Sequence, residues 1–350
     1  MEIEKLQAKA RERTVKTQTI EYDLETIVKK LKSGVIKLNP EYQRKHRWDY
    51  DHSSRLIESL ILNIPVPFIY ISQDIDVDDE VDDEVARYSV IDGQQRLTAV
   101  FEYMEDKFEL QGLEVLADLN GVKYSGLPPF LIRRLEERTI RCLRIDSTLD
   151  GQVKYDIFER LNSGSVMLEP QELRNATCRG PFRKLIKELV SFKPFVDSIA
   201  LTKTKKEKME DEELVLRFFA IAYKDGYKEY RGGFKSFLTK KMIEFNSATA
   251  NEINGMKNLF ENVFHGFSNL GIDDPFAKFK IGTGKRMSKF NASVFDAYCV
   301  AAVKSGGVTD ALHTDLVTLF EEPEFFQATE GSVNDVKKIE TRINFALSRI

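Results

Sequence analysis

The sequence predicts an α+β protein in which a mixed N-terminal domain is followed by a mostly α-helical C-terminal domain. In the first 150 residues, short apolar runs with the length and composition of strands alternate with amphipathic helices. After residue 150, apolar residues recur almost wholly at the three- and four-residue spacings of helices. We therefore place the domains at residues 1–150 and 151–350.

The composition is that of a globular protein without an overall nucleic-acid-binding character. The chain has 350 residues, 42% of them hydrophobic, and a net charge of −4, so a DNA contact needs a local basic patch or a partner subunit. Cys142, Cys178 and Cys299 are isolated, which favours a reducing cytoplasm over disulfides or zinc. Neither a signal peptide nor a run of about 18 apolar residues occurs, so we expect a cytoplasmic protein without membrane contact.

The first domain alternates between helical and extended patterns. Helices are predicted over residues 21–32, 51–63 and 130–138, and from Arg96 onward. Extended segments are predicted over residues 35–38, 68–72, 87–91 and 139–145, with a small β-meander over 108–122.

In the second domain, helices are predicted over residues 153–161, 171–176, 211–223, 234–244, 251–267, 291–303 and 332–350. The last helix carries an apolar stripe with the spacing of a two-stranded seam, formed by Val336, Ile339, Ile343, Ala346 and Ile350. Packing of this stripe within the chain is favoured, and contact with a second copy in a homo-oligomer is the alternative.

The most informative segment is residues 89–98, where an apolar strand ends in Asp92-Gly93-Gln94-Gln95-Arg96 and a helical pattern follows. Gly93 permits a tight turn, and the unpaired N–H groups of a new helix attract anions. Arg96 would oppose the helix dipole in the first turn, at a cost of roughly 0.3–1 kcal/mol. An anionic ligand would reverse that cost. The alternative is that Asp92 is only an N-cap and Gln95 completes a loose capping box.

Three further segments share polar and cationic side chains at predicted loop or helix edges. Tyr42, Gln43, Arg44 and Trp48 lie in a predicted loop without periodicity. Arg160 and Asn162 end one helix, and Glu172, Arg174 and Asn175 follow Pro170 at the start of the next. Taken singly, Asn162 is more typical of a helix C-cap, and Arg160 and Arg174 of solvated helix faces, than of a site.

Other segments give weaker signals. The acidic run 74–84 lacks the spacing of a calcium loop and is interpreted as a solvated hairpin tip. Residues 282–285, Gly-Thr-Gly-Lys, resemble part of a phosphate loop, but Phe279 and Arg286 stand where that motif needs glycine and Ser/Thr. The basic run 203–208 is followed by acidic residues and is interpreted as a solvated loop.

Together, five segments in the same order resemble the family that forms the N-terminal part of GmrSD-type modification-dependent restriction enzymes, which is related to the ParB and sulfiredoxin superfamily. The resemblance spans roughly residues 24–175. The matching segments are Pro40–Arg44 with Trp48, Leu56–Leu62 with Ile64–Pro67, Ile91–Thr98, Phe158–Asn162, and Glu172–Asn175. It implies a ParB-like domain whose DGQQR motif binds and hydrolyses nucleotides in bacterial defence against phage or modified DNA.

The resemblance also implies the members of a site. Asp92, Gln94, Gln95 and Arg96 are the motif itself, with Gly93 between them. Arg96 and Arg44 would hold the phosphates of ATP or GTP. Asp92 would bind Mg²⁺ or accept a proton from water, Gln94 or Gln95 would orient that water, and Tyr42 or Trp48 would stack on the base. The remaining members of the expected site are Gln43, Arg160, Asn162, Glu172, Arg174 and Asn175.

We therefore expect an NTPase component of an anti-phage or restriction system, acting on DNA directly or through a partner effector or nuclease. The alternatives are a ParB-like nuclease that uses the same pocket, and a non-hydrolysing sensor of a nucleotide or modified base. The histidines, His46, His52, His265 and His313, form no His-Asn-His motif, so a nuclease domain of that type is not expected in this chain.

Overall fold

The computed structural model describes residues 17–38, 48–73, 88–145, 151–161, 169–271 and 273–350. It divides into two compact units, Met1–Leu168 and Glu169–Ile350. The first unit contains a mixed five-stranded sheet with helices, and the second is helical apart from one short hairpin. The predicted order, a mixed α/β region followed by a helical one, is confirmed. The acidic run 74–84 lies outside the described residues.

In the first unit, strands and helices alternate along the chain. The strands are β1 (Thr17–Asp23), β2 (Ile36–Lys37), β3 (Ile69–Gln73), β4 (Tyr88–Asp92) and β5 (Thr139–Ile145). The helices are α1 (Leu24–Lys32), α2 (Tyr50–Ile61), α3 (Gln94–Met104), α4 (Pro129–Glu136) and α5 (Gly151–Leu161).

The sheet order is β1-β5-β3-β4-β2, so β3 lies at the centre and β4 beside it. Strand β3 pairs antiparallel with β4 and parallel with β5. Apolar side chains of the strands pack with those of α1, α2 and α3 in one core, including Ile71, Val90 and Leu97. The end of β4 is therefore fixed by its pairing with the central strand β3 and by the packing of α3, the helix that follows β4.

The segment 108–122, expected as a small β-meander, contains no strand and instead has a 3₁₀ turn at Ala117–Leu119. Its backbone is held by side chains of α2 rather than by a β-ladder. The buried Glu58 carboxylate accepts hydrogen bonds from the backbone N–H groups of Val115 and Leu116, at 3.0 and 2.7 Å. Buried polar anchors satisfy the backbone here, which explains why an alternating apolar pattern did not become strands.

Helix α5 lies with the sheet unit and contacts β4, whereas the sequence analysis placed it in the helical domain. Its Tyr155 and Phe158 side chains are buried. The structural boundary follows residue 168 instead of residue 150. A helical pattern alone does not show which core a helix joins, which is why this difference arises.

The second unit is built from α6 (Pro170–Thr177), α7 (Pro181–Leu189), α8 (Lys193–Ile199), α9 (Lys203–Glu207), α10 (Glu210–Ala222), α11 (Phe234–Asn246), α12 (Ala250–Asn269), α13 (Ala292–Lys304), α14 (Asp310–Thr318), α15 (Pro323–Ala328) and α16 (Val336–Leu347). Two short strands, β6 (Lys278–Phe279) and β7 (Arg286–Ser288), form an antiparallel hairpin. Phenylalanine side chains dominate the core, with Phe218, Phe260 and Phe264 in mutual ring contact.

The apolar stripe on α16 is used inside this unit. Ile339, Ile343 and Ala346 are fully buried in its core, while Ile350 is exposed. These three positions are therefore not available to a second chain. Within the described residues, no helix combines the length and the apolar character needed to cross a membrane.

Candidate functional site

The turn between β4 and α3 requires glycine at position 93. Gly93 is buried and has φ of 90°, in the left-handed region that other residues rarely adopt. A Cβ atom there would lie 2.3 Å from Cδ1 of Ile69. With glycine at position 93, the backbone of the turn packs against β3 at a distance that a Cβ atom would not allow.

The alternative interpretation, in which Asp92 is only the N-cap of this helix, is wrong. Gly93 is the N-cap residue, and because glycine has no side chain it makes no capping hydrogen bond to α3. Asp92 is the last residue of β4, paired with Tyr70 of β3, and its carboxylate is directed to Arg96. Because the turn at Gly93 has positive φ, the helix starts one residue later than the capping pattern indicates.

Arg96 is held by the protein itself. Its Nη2 atom donates to Oδ2 of Asp92 at 2.7 Å, and its Nη1 atom donates to the carbonyl oxygens of Pro67 and Phe68 at 2.5 and 3.1 Å. The Arg96 side chain is 12% exposed and that of Asp92 is 39% exposed. The positive charge of Arg96 in the first helical turn is therefore balanced by Asp92. The sequence had suggested that an anionic ligand would balance it.

Gln95 connects the motif to the start of α2. Its Oε1 atom accepts a hydrogen bond from the backbone N–H of Trp48 at 3.1 Å. Trp48 is half-buried and packs against the core of the first unit, and its ring lies 6.3 Å from that of His52. The structure thus brings Asp92, Gly93, Gln95, Arg96 and Trp48 into one connected group.

The arrangement has a clear electrostatic consequence. An uncapped helix start carries partial positive charge from its first N–H groups, and these groups accept anions. Asp92 and Arg96 neutralise each other at the same point, so the remaining attraction is that of the helix N-terminus. The more exposed member of the pair is the carboxylate, which is able to bind a cation or accept a proton.

Five further predicted residues lie either on α5 or outside the described residues. Arg160 lies exposed in the last turn of α5, the helix that contacts β4. Tyr42, Gln43, Arg44 and Asn162 lie outside the described residues.

The remaining predicted residues lie in the second unit and are buried. Arg174 is fully buried on α6; it donates to Glu213 Oε2 at 2.9 Å, to Gln171 Oε1 at 2.8 Å and to Thr239 Oγ1 at 3.3 Å. This guanidinium ties α6 to α10 and α11. The Arg174 guanidinium does not face solvent. It therefore does not lie where the phosphate contact suggested by the sequence would need it.

Asn175 and Glu172 have similar structural partners. Asn175 Nδ2 donates to Glu212 Oε2 at 2.6 Å, and burial raises the pKa of that carboxyl above its usual range. Glu172 accepts from the backbone N–H of Glu169 at 2.7 Å, as part of a capping box. Hydrogen bonds from Arg174 to Glu213 and from Asn175 to Glu212 therefore join α6 to the start of α10.

Sequence reasoning missed several partners. Pro67 and Phe68 contribute only carbonyl oxygens, which leave no signal in side-chain identity. Gln171 and Thr239 both accept hydrogen bonds from Arg174. Gln171 lies one helical turn before it, and Thr239 lies 65 residues further along the chain. One signal was present, because oppositely charged residues four apart, such as Asp92 and Arg96, are a common ion-pair spacing.

Comparison with known families agrees with the sequence resemblance. Residues 24–178 match the family model described as GmrSD restriction endonuclease, N-terminal domain. The family predicted from sequence is thereby confirmed over this segment, which contains the whole group around Asp92. Neither the curated proteins nor the solved structures contain a match to this chain.

Proposed function

We propose that the chain is a nucleotide-binding and nucleotide-hydrolysing component of a bacterial anti-phage or modification-dependent restriction system. The observation that carries the proposal is the N-terminus of α3, whose N-cap glycine supplies no capping side chain, beside a half-exposed Asp92 that Arg96 holds in place. Helix N-termini of this kind bind phosphate groups. The family match supports the biological setting, because its name is that of a restriction endonuclease domain.

Each motif residue takes a role that its contacts allow. The first N–H groups of α3 and the side chain of Gln94 receive the phosphates of ATP or GTP, and Asp92 accepts a proton from the attacking water. Arg96 is a positioning residue for Asp92, and it would share its donors with a bound phosphate. Gln95 holds Trp48, which with Tyr42 offers an aromatic surface to the base, while Arg44, Gln43 and Arg160 add polar and cationic groups.

Asp92 also fits a magnesium ion as one ligand among several. Mg²⁺ is commonly bound by one or two carboxylates together with water and substrate phosphates. Among the described residues, no group of three or more His, Cys, Asp or Glu side chains could hold a metal. The fit is therefore to an ion that arrives with the nucleotide, and the charge it supplies would offset that of the phosphates.

The buried residues of the second unit have a supporting role in this proposal. Arg174, Asn175 and Glu172 hold α6 in place through their hydrogen bonds. We propose that these three residues set the position of the α6 backbone rather than contact the phosphates.

A second candidate is a non-hydrolysing sensor of a nucleotide or modified base. The observation in its favour is that Arg96 donates hydrogen bonds to Asp92 and to the carbonyl oxygens of Pro67 and Phe68, so its guanidinium is held by the protein itself. In that case ligand binding would be signalled to a partner effector or nuclease. A ParB-like nuclease would use the same Asp92 on DNA.

Phosphate release from ATP and GTP by the purified protein tests the proposal. Asp92→Asn, which keeps the shape of the side chain, should lower release by about 100-fold or more, as removal of a general base does. Arg133→Gln, an exposed arginine on α4 of the same unit, is the matched control and should match the natural protein.

Equal phosphate release from all three proteins would contradict hydrolysis at Asp92. Nucleotide-induced thermal stabilisation without release would support the sensor instead. Cleavage of DNA that is lost in Asp92→Asn would support the nuclease.

A further inference from the structure

The hairpin β6–β7 of the second unit carries a concentration of positive charge that the proposed site does not use. Between Asp274 and Asp296 the sequence contains no acidic residue. The basic residues in this interval are Lys278, Lys280, Lys285, Arg286 and Lys289. The chain as a whole has a net charge of −4, whereas this interval carries a net positive charge.

Two of these cations are engaged within the unit. Lys278 is buried, with its Nζ atom 3.0 Å from Glu330 Oε1 and 4.5 Å from the Phe326 ring centroid. Arg286 Nη1 lies 2.6 Å from Asp274 Oδ2. These contacts fix the hairpin to the loop that precedes it and to α15 with the loop that follows that helix.

The other three cations, Lys280, Lys285 and Lys289, are exposed. Within the part of the chain that the structure describes, none of them lies within 4.0 Å of a carboxylate. Their charges are therefore available to a partner.

The tip of the hairpin is narrow and clear of neighbouring atoms. The backbone N–H of Lys280 donates to the carbonyl of Lys285 at 2.8 Å, so these lysines lie opposite each other where the ladder ends. Gly282 and Gly284 turn the chain with φ of 70° and 59°, and a Cβ atom on either would meet nothing within 4 Å. A two-stranded ribbon of this width fits a groove of duplex DNA.

The spacing of the lysines favours an extended polyanion over a small anion. They are distributed along the ribbon, whereas a site for a single phosphate needs donors that converge on one point. The cavity of about 480 Å³ beside the ribbon's base is lined by Asp197, Asp273 and Asp274 as well as by Arg286 and Lys289. Those carboxylates repel phosphates, so the cavity itself does not suit a small anion, although Lys289 is one of its lining residues.

We propose that the β6–β7 ribbon contacts the phosphate backbone of double-stranded DNA through Lys280, Lys285 and Lys289. This contact places DNA on the second unit and does not involve Asp92. It depends on the proposed function only for the choice of DNA as the polyanion.

Binding of the full-length protein to a fluorescent random-sequence duplex, measured from about 50 to 200 mM salt, tests the proposal. Each phosphate contact contributes about 0.9 to the slope of log K against log salt concentration. The triple variant Lys280→Gln, Lys285→Gln, Lys289→Gln should therefore lower that slope by about 2 to 3, and weaken binding at least about tenfold near 0.1 M salt.

The matched control is Lys203→Gln, Lys206→Gln, Lys240→Gln, which removes the same charge from exposed positions of the same unit. It should bind DNA within about threefold of the natural protein, since its lysines make no predicted phosphate contact. Both triple variants should keep the natural thermal midpoint, because all six side chains are exposed.

Equal weakening by both variants, unchanged binding by the ribbon variant, or no binding by the natural protein at the lowest salt would each overturn the proposal. Tighter binding of an RNA duplex through the same lysines would overturn the choice of DNA. Asp92→Asn should bind DNA normally, so failure of the ribbon and failure of nucleotide hydrolysis are distinguishable.

Discussion

At the scale of single residues, Asp92 and Arg96 neutralise each other where β4 passes into α3, and they remain partly open to solvent on the carboxylate side. A phosphate that approaches the helix N-terminus meets a nearly neutral pair and not a free cation. Its attraction then comes from the helix N–H groups, and Arg96 strengthens it only by giving up part of its contact with Asp92.

Gly93→Ala should destabilise the protein by about 3 kcal/mol, because it adds a Cβ clash with Ile69 to the cost of positive φ. Gly121→Ala is a matched control, since Gly121 has φ of 84° and open space around its Cβ position. It should cost only about 1 kcal/mol, the backbone component alone. Urea denaturation measures both, and equal losses would show that close packing at Gly93 is not required.

His313 should make stability depend on pH. Burial lowers its pKa below the usual 6.5, so the unfolded chain binds the proton more readily than the folded one. Its stabilisation is therefore complete above about pH 6.5 and is lost as pH falls from there toward the folded pKa.

Between about pH 7 and 5, the free energy of unfolding should fall more for the natural protein than for His313→Gln, which has no titrating group at that position. Denaturation curves at the two pH values provide the comparison. An identical pH dependence in the two proteins would contradict this assignment.

At the scale of elements, the sequence predicted most helices to within a few residues, because their apolar faces repeat over several turns. The strand-turn-helix junction at residues 88–104 was also predicted, since Gly93 and the change of period mark it locally. The segment 108–122 was not, because the side chains that hold it, such as Glu58, come from α2. The role of Arg174 was missed for the same reason, as its partner Thr239 lies 65 residues away.

Arg174→Met should destabilise the protein by about 3 kcal/mol, since Gln171 and Thr239 lose a buried partner and Glu213 loses its counter-charge. Nucleotide affinity of the folded protein should change by less than about threefold, about 0.7 kcal/mol, because the guanidinium is fully buried.

Chemical denaturation and isothermal titration with a non-hydrolysable nucleotide measure the two effects of Arg174→Met. Lys184→Met, at an exposed position on α7, is the control and should alter neither quantity. Loss of affinity with unchanged stability would show that Arg174 contacts the ligand after all.

At the scale of the whole molecule, each unit has its own core, one organised on a sheet and one on phenylalanine-rich helices. The first unit holds every described residue of the DGQQR motif, and the second holds the basic ribbon. Under our two proposals, nucleotide chemistry belongs to the first unit and DNA contact to the second. Sequence composition indicated two cores but not which core α5 joins.

The reactivity of the three cysteines tests the packing of both cores. All are buried, and burial raises the pKa of Cys142, in the sheet unit, to about 12 and that of Cys299, in the helical unit, well above its usual value. A thiol reagent at pH 8 should therefore label none of them within minutes in the native protein, and all of them in urea. Rapid labelling of Cys142 or Cys299 without denaturant would contradict the packing described for that unit.

The structure of the protein bound to a non-hydrolysable ATP or GTP analogue tests the central claim most directly. We predict that phosphate oxygens lie within hydrogen-bond distance of the first backbone N–H groups of α3, with the Asp92 carboxylate beside the terminal phosphate. Phosphates bound away from this helix N-terminus, with Arg96 still on Asp92, Pro67 and Phe68, would contradict the account.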